Sequence, residues 1–227
     1  RIRPPGLTIE NLPRLDCIVV SHNHYDHLDL KTIRRLWRRD KPRILVPLGN
    51  DAIIRKYDSN IKVEAYDWGT SVDIHDRLCI HLEPMHHWSA RGLFDRNQAL
   101  WAAFVIQTPN GNLYFAGDTG FGEGHYFRML AQKYGSFRLA LLPIGAYDPE
   151  WLMGYGHMTP EQALEAYRLL GAKCAIPSHY GTFRLADDGF EEPLARLKIA
   201  MEQLGIHNTH VKPLAIGESW MVPTEVR

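Results

Sequence analysis

The sequence predicts a layered α/β or α+β fold. Short β-branched apolar runs alternate with amphipathic stretches of helical period, and the residues best suited to chemistry stand where those runs end. The 227 residues are expected to form one domain, spanning 1–227. Leu15 to Ser21 (LDCIVVS) reads as a buried strand running straight into a histidine-rich segment. Leu30, Ile33 and Trp37 then recur at helical spacing over about three turns, with basic residues elsewhere on the wheel, and Ile44 to Pro47 resumes a strand. From Ile61 to Leu82 apolar and polar residues alternate around the turn-prone Asp67-Trp68-Gly69. Leu100 to Gln107, Asn110-Gly111 and Leu113 to Ala116 read as a hairpin. Leu139 to Ile144 and Cys174 to Pro177 are further strands. Between them Thr159-Pro160-Glu161-Gln162 opens a helix with a cap, a first-position proline and a capping box, and Gly171 ends it. A last helix is expected over Glu191 to Gly205, with a closing strand over Val211 to Val222.

Composition narrows the function. Hydrophobic residues make up 45% and charged residues 23%, which is globular, and the longest apolar runs fall far short of the roughly 20 residues that span a bilayer. Lys plus Arg and Asp plus Glu both number 26, so no global positive field favours nucleic acid. Cys17, Cys79 and Cys174 lie singly in apolar segments, as reduced, buried thiols in a cytoplasmic setting do. The chain starts at Arg1 and runs into Pro4-Pro5-Gly6, so a segment upstream is expected to be missing. Seven cations against one acid between Lys31 and Arg43 read as a solvated helix face. Near an anionic lipid surface they could add about 1 kcal/mol each, which makes peripheral membrane contact a second reading.

Twelve histidines are the unusual feature. Ser21-His22-Asn23-His24-Tyr25-Asp26-His27 packs four ligand-type side chains between a strand and a helix. Positions two apart in an extended segment point the same way, so His22 and His24 can share one metal, while entry into the helix turns Asp26 and His27 toward another. Further ligands must come from elsewhere. His87 (in HHW), Asp118 (in FAGDT) and His179 (in PSHYG) each follow an apolar run. Singly they are unremarkable; together and in this order they are specific.

The order HxHxDH, His, GDT, late His resembles the metallo-β-lactamase superfamily. The stretches SHNHYDHLD, HHWSARGLFDRNQALW, FAGDTGF, LLPIGAYDPEWLMGYGHMTPEQA and SHYGTF resemble, over nearly the whole chain, the branch containing N-acylphosphatidylethanolamine-hydrolysing phospholipase D. The resemblance implies an αββα sandwich, two mixed β-sheets flanked by helices, with the family's N-terminal strands missing here. It implies two Zn²⁺ ions, with Mn²⁺ or Fe²⁺ compatible with the same donors. His22, His24 and His87 would hold the first, Asp26, His27 and His179 the second, and Asp118 would bridge them. His157 is implied as a non-ligand catalytic histidine over the metals, Asp26 as a catalytic carboxylate, and His157 and Tyr25 as substrate contacts. His86 would be solvent-facing or structural. Gly156 stands where the family's mammalian member has glutamine.

The implied activity is a binuclear metal-dependent hydrolase, a phosphodiesterase of phospholipase D type acting on N-acylphosphatidylethanolamine-like lipids. A lactonase or carboxyl-ester hydrolase is the alternative that the same centre allows. A small-molecule or lipid substrate and a homodimer belong to the same expectation, and nucleic acid does not. His75, His81, His125, His207 and His210 have no ligand-like context and read as surface or capping residues.

Overall fold

A computed structural model describes residues 2–223. Two sheets lie face to face. The smaller is parallel throughout, in the order β1 (Cys17–Val19), β2 (Arg43–Pro47), β3 (Glu64–Tyr66). The larger has six strands in sequence order: β4 (Ser71–His75), β5 (Leu78–Glu83), β6 (Ala103–Thr108), β7 (Gly111–Phe115), β8 (Phe137–Pro143) and β9 (Cys174–Ser178). Its first three pairings are antiparallel and its last two parallel.

Strand alternation sorts the core into layers. On β2, Ile44 and Val46 face one way and pack with Ile33 of α1 (Leu30–Asp40) and Ile54 of α2 (Asn50–Tyr57). Leu45 between them faces the other sheet, where it meets Val72, Ile80, Leu82 and Phe104. Beyond that sheet, Ala103, Val105, Tyr114 and Leu142 pack against α3 (His125–Tyr134), α5 (Pro160–Leu169) and α6 (Glu192–Gln203). The result is helix, sheet, sheet, helix, as the resemblance implies. A four-residue helix, α4 (Glu150–Met153), precedes the loop that carries His157.

The antiparallel pairs β5–β6 and β6–β7 leave β5 and β7 pointing the same way, and β8 and β9 follow β7. Four strands therefore deliver their carboxyl ends to one edge. The segments leaving them hold His87, Asp118, His157 and His179.

Local chemistry sets the boundaries. Asp29 caps α1, accepting from the backbone N–H of Lys31 at 2.9 Å, which stops the histidine loop and starts the helix. Thr159 and Gln162 form the expected capping box. Three helices, α2, α3 and the short α4, arise where the sequence carries no sufficient periodic signal. The strand expected over Val211 to Val222 is corrected: only Val211 bridges Ala175, Pro213 has no N–H to offer a ladder, and Gly217 takes a positive φ of 82°. No described helix is long and apolar enough to cross a membrane. Much of the basic stretch is engaged within the chain: Arg35 with Glu10, Arg38 with Asp58, and Arg43 in a two-pronged pair with Glu64.

Thr159 is 5% exposed and its cap fixes the end of the His157 loop. Thr159→Ala should cost about 1 kcal/mol, read as a lower urea midpoint at unchanged slope.

Candidate metal centre

Seven of the side chains singled out in the sequence come together in two groups. His22, His24 and His87 form one; Asp26, His27, Asp118 and His179 form the other, with donor atoms in each group all within 4.8 Å of one another. In the first, His24 Nδ1 lies 2.9 Å from His22 Nε2 and 3.2 Å from His87 Nε2. Nitrogens around a tetrahedral zinc, at roughly 2.0–2.1 Å from it, stand about 3.3 Å apart, so the spacing is that of a ligand set. In the second, Asp26 Oδ2 is 3.2 Å from both His27 Nε2 and His179 Nε2. Asp118 Oδ2 lies 3.1 Å from those same two nitrogens, and 3.9 and 4.0 Å from His22 and His87 Nε2. It stands between the groups.

Burial makes the arrangement costly without a cation. His22 and His87 are fully buried and Asp118 is 2% exposed. Asp118 Oδ1 is enclosed with no hydrogen-bond partner, which a polar interior does not normally tolerate. Divalent cations suit this donor set: imidazole nitrogens and carboxylate oxygens fit zinc, and also manganese or iron.

The surroundings orient the imidazoles. His87 Nδ1 donates to the carbonyl of Gly156 at 3.0 Å, which turns Nε2 toward the centre; Ser21 Oγ lies 3.0 Å from His22 Nδ1. Trp88 packs edge-on against His24 at 4.4 Å between centroids. The sequence sets Ser21 beside His22 and Gly156 beside the non-ligand His157, but their partnering depends on loop paths it does not record. Gly156 also has a steric role. A Cβ there would stand 3.0 Å from His87 Nδ1, so a larger residue would press on the ring.

Two glycines let the loops meet. Gly117 takes φ +63°, and a Cβ on it would come within 2.7 Å of Ser21 Cβ; a Cβ on Gly120 would lie 2.2 Å from the Tyr155 carbonyl oxygen. The GDTG turn thus brings Asp118 against the His22 loop on one side and the His157 loop on the other. His179 itself sits at φ +59°, a conformation that costs a non-glycine residue roughly 1–2 kcal/mol.

His157 belongs to neither group. Its ring stacks on His179 at 5.6 Å and meets His87 edge-on at 5.3 Å, so it overlooks both. Burial, with lesser effects of nearby charges, lowers its pKa to about 4. At neutral pH this ring is therefore uncharged. Tyr25 points outward, 69% exposed, and its hydroxyl donates to the Arg91 carbonyl at 3.0 Å. His86 packs on Tyr126, with Nε2 enclosed, rather than facing solvent.

With this geometry in view, comparison places the chain. Residues 1–180 match the family model described as the beta-lactamase superfamily domain. The chain belongs to that superfamily. It is 36% identical over 231 aligned residues to an N-acyl-phosphatidylethanolamine-hydrolyzing phospholipase D of Caenorhabditis elegans, covering 97% of this chain and 64% of that protein. A mitochondrial protein of the same name from Saccharomyces cerevisiae is 35% identical over 89% of this chain and 44% of its own length. The chain therefore spans less than two thirds of either relative. Among superfamily structures, the metallo hydrolase Igni18 of the archaeon Ignicoccus hospitalis shares the fold, with a TM-score of 0.68 at 24% identity over 93% of this chain and 82% of that one.

The two groups of this superfamily member differ in protonation. Burial and neighbouring imidazoles lower His22 and His24, and burial lowers His87 to about 3. Burial opposes the protonated form in the second group too, but the carboxylates of Asp118 and Asp26 overcome it and raise His27 to about 9 and His179 to about 10. Asp26 and Asp118 are held far below the carboxylate range by the same imidazoles. A nitrogen must lose its proton before it can bind a cation. Loading at pH 7.5 should therefore release about two protons from the imidazoles of the second group, in addition to any lost by a water the ions hold, measurable by calorimetry in buffers of different ionisation enthalpy. Affinity at that group should strengthen as pH rises toward 9–10. Asp118→Ala should remove metal from both groups on elemental analysis; two bound ions in that variant would contradict the bridging assignment.

Proposed function

We propose that this chain is a binuclear metal-dependent hydrolase that cleaves phosphodiesters in the manner of a phospholipase D, with N-acylphosphatidylethanolamine-like lipids as substrate. The single observation carrying this reading is the placement of a half-buried histidine, outside both donor groups, over a seven-residue cluster of metal-type donors. The names of the worm and yeast relatives support the lipid phosphodiester over other bonds.

His22, His24 and His87 would hold one ion, Asp26, His27 and His179 the other, and Asp118 would serve both. Two divalent ions so held supply Lewis acidity toward phosphoryl oxygens and lower the pKa of a water to near neutrality. His157, uncharged at pH 7, uses a ring N–H to hold a phosphoryl or departing oxygen as its charge grows. Gly156, through its carbonyl, ties His87 to the segment that carries His157, so the histidine that would hold metal and the one that would meet substrate keep a set separation. Asp26 acts within the ligand set rather than as a separate base.

The protein's own nucleophiles fit less well. Burial raises the Cys17 thiol to about 11 and also raises Cys79 and Cys174. Ser21 lies beside a histidine but is 2% exposed. The surface suits an amphiphile: Leu93 and Phe94 are 92% and 96% exposed on the loop after Trp88, and Trp151 is 85% exposed on α4, just before His157. Peripheral contact with a lipid aggregate is part of this proposal, as is a homodimer.

Metal-loaded protein should hydrolyse a fluorescent N-acyl phospholipid in preference to a panel of lactones and carboxyl esters. Turnover of the lactones alone would discard the phosphodiesterase. His157→Ala should retain two ions by elemental analysis yet turn over about 10²-fold more slowly. Loss of metal in that variant would place His157 among the ligands instead.

A further inference from the structure

The turn that carries His24, Asp26 and His27 is spanned by one side chain from another part of the chain. Arg91 Nη1 donates to the Asn23 carbonyl at 2.8 Å and to the Leu28 carbonyl at 3.0 Å. Those carbonyls stand immediately before and immediately after residues 24–27. A single guanidinium nitrogen, with one N–H for each, therefore sets the distance across the turn. Asn23 and Leu28 are 1% and 0% exposed, and carbonyls so enclosed need donors from within the protein. A charged donor makes such bonds roughly twice as strong as a neutral one. The turn closes its own inside, with the His27 and Leu28 N–H groups donating to the His24 carbonyl at 3.1 and 2.8 Å. Arg91 closes its two ends.

The clamp is itself braced. Its guanidinium lies 4.0 Å from the centroid of the Tyr25 ring, and the Tyr25 hydroxyl donates to the Arg91 carbonyl at 3.0 Å. Asp95 accepts from the Arg91 N–H at 3.1 Å and from the Gly92 N–H at 2.8 Å. Farther along, the Asn97 N–H donates to the Ser89 carbonyl at 2.8 Å, and the Ala102 N–H donates to the Ser21 carbonyl at 2.8 Å. Segment 88–102 thus leaves His87, grips the turn at Arg91 and is fastened again beside His22. None of these contacts reaches a donor atom of the centre, so Arg91 acts on the candidate ligands through the backbone that carries them.

We propose that Arg91 is a positioning residue for both metal groups: it fixes the span of the turn, and with it the separation of His24, in the first group, from Asp26 and His27, in the second. The inference rests on the metal-centre reading but on no particular hydrolysed bond, so its test reads metal rather than turnover. Acting only through His87 on its own segment, Arg91 would affect the first group alone; acting through the turn, it affects both. Cobalt(II), titrated into metal-free protein and followed by visible absorption and chelator competition, should fill two steps in the wild type. His87→Ala, which removes a donor from the first group, identifies that group's step. Arg91→Met keeps the stem and removes the donors. It should weaken both steps by about tenfold and shift the absorption band, whose position reports ligand geometry. Asp95→Ala slackens Arg91 without removing it and should weaken both steps by less; it carries the test where Arg91→Met does not fold. An Arg91→Met protein that melts earlier yet keeps wild-type affinity and spectrum assigns Arg91 to the fold alone and overturns the proposal. Weakening of the first step only overturns it too, as do wild-type steps in Asp95→Ala where that variant carries the test. Wild-type protein that takes up no cobalt overturns the metal-centre reading and the inference with it, whereas two wild-type steps unaltered by Arg91→Met overturn the inference alone.

Discussion

Packing five imidazoles and two carboxylates into one buried volume is the constraint on which the rest of the structure depends. Each group would ordinarily keep its water, and several inward-facing atoms have surrendered it without finding a protein partner. The fold meets part of that cost by pairing Asp26 and Asp118 with protonated His27 and His179, and leaves the His22, His24 and His87 trio neutral. Such a cluster survives only if the backbone behind it is rigid. The β-sandwich supplies this, since β5, β7 and β8, which end at the centre, are each paired with a strand on both sides.

Topology decides which residues can meet there, and small residues decide how closely. Parallel carboxyl ends bring the segments after β5, β7, β8 and β9 to one edge, but side chains of ordinary size on all of them would hold those segments apart. Gly117 and Gly120 remove that obstacle on both sides of Asp118. The adverse backbone of His179 has the same logic. A residue immediately after β9 in extended geometry would project along the strand's alternation, and the left-handed turn redirects the imidazole across the top of the sheet. The strain is the cost of placing a ligand where a regular strand cannot.

Much of this was legible because its signals are local. The HxHxDH loop announces two faces through side-chain alternation alone, and the Thr159 capping box announces where the His157 loop must end. Convergence of His87, Asp118 and His179 was legible only through resemblance, because spacing along the chain carries no record of which strand ends share an edge. The closing strand was over-read from the apolar residues Val211, Leu214, Ile216 and Met221; Pro213 and Gly217 outweigh them because a ladder needs donors and extended φ at every step. Helix α2 escaped notice since Ile54 is its one buried apolar residue, too little for a periodic stripe.

Charge arithmetic at the centre bears on the choice among hydrolysable bonds. Asp26 and Asp118 are the two formal negative charges in the seven-residue set, and every histidine that binds a cation must be neutral. Two divalent ions would leave a formal excess of two positive charges, falling to one once a water held there loses its proton. No further carboxylate among the described residues enters either donor group to cancel it. A neutral lactone or ester can be polarised by such a field, but it brings no charge to balance it. A phosphodiester brings one negative charge in its ground state, and in the transition state the nucleophile's charge spreads over the phosphoryl and departing oxygens, so the field favours it at both stages. An uncharged His157 fits that order better than a charged one, because it offers a hydrogen bond to the growing charge without adding a further cation to a site already in surplus.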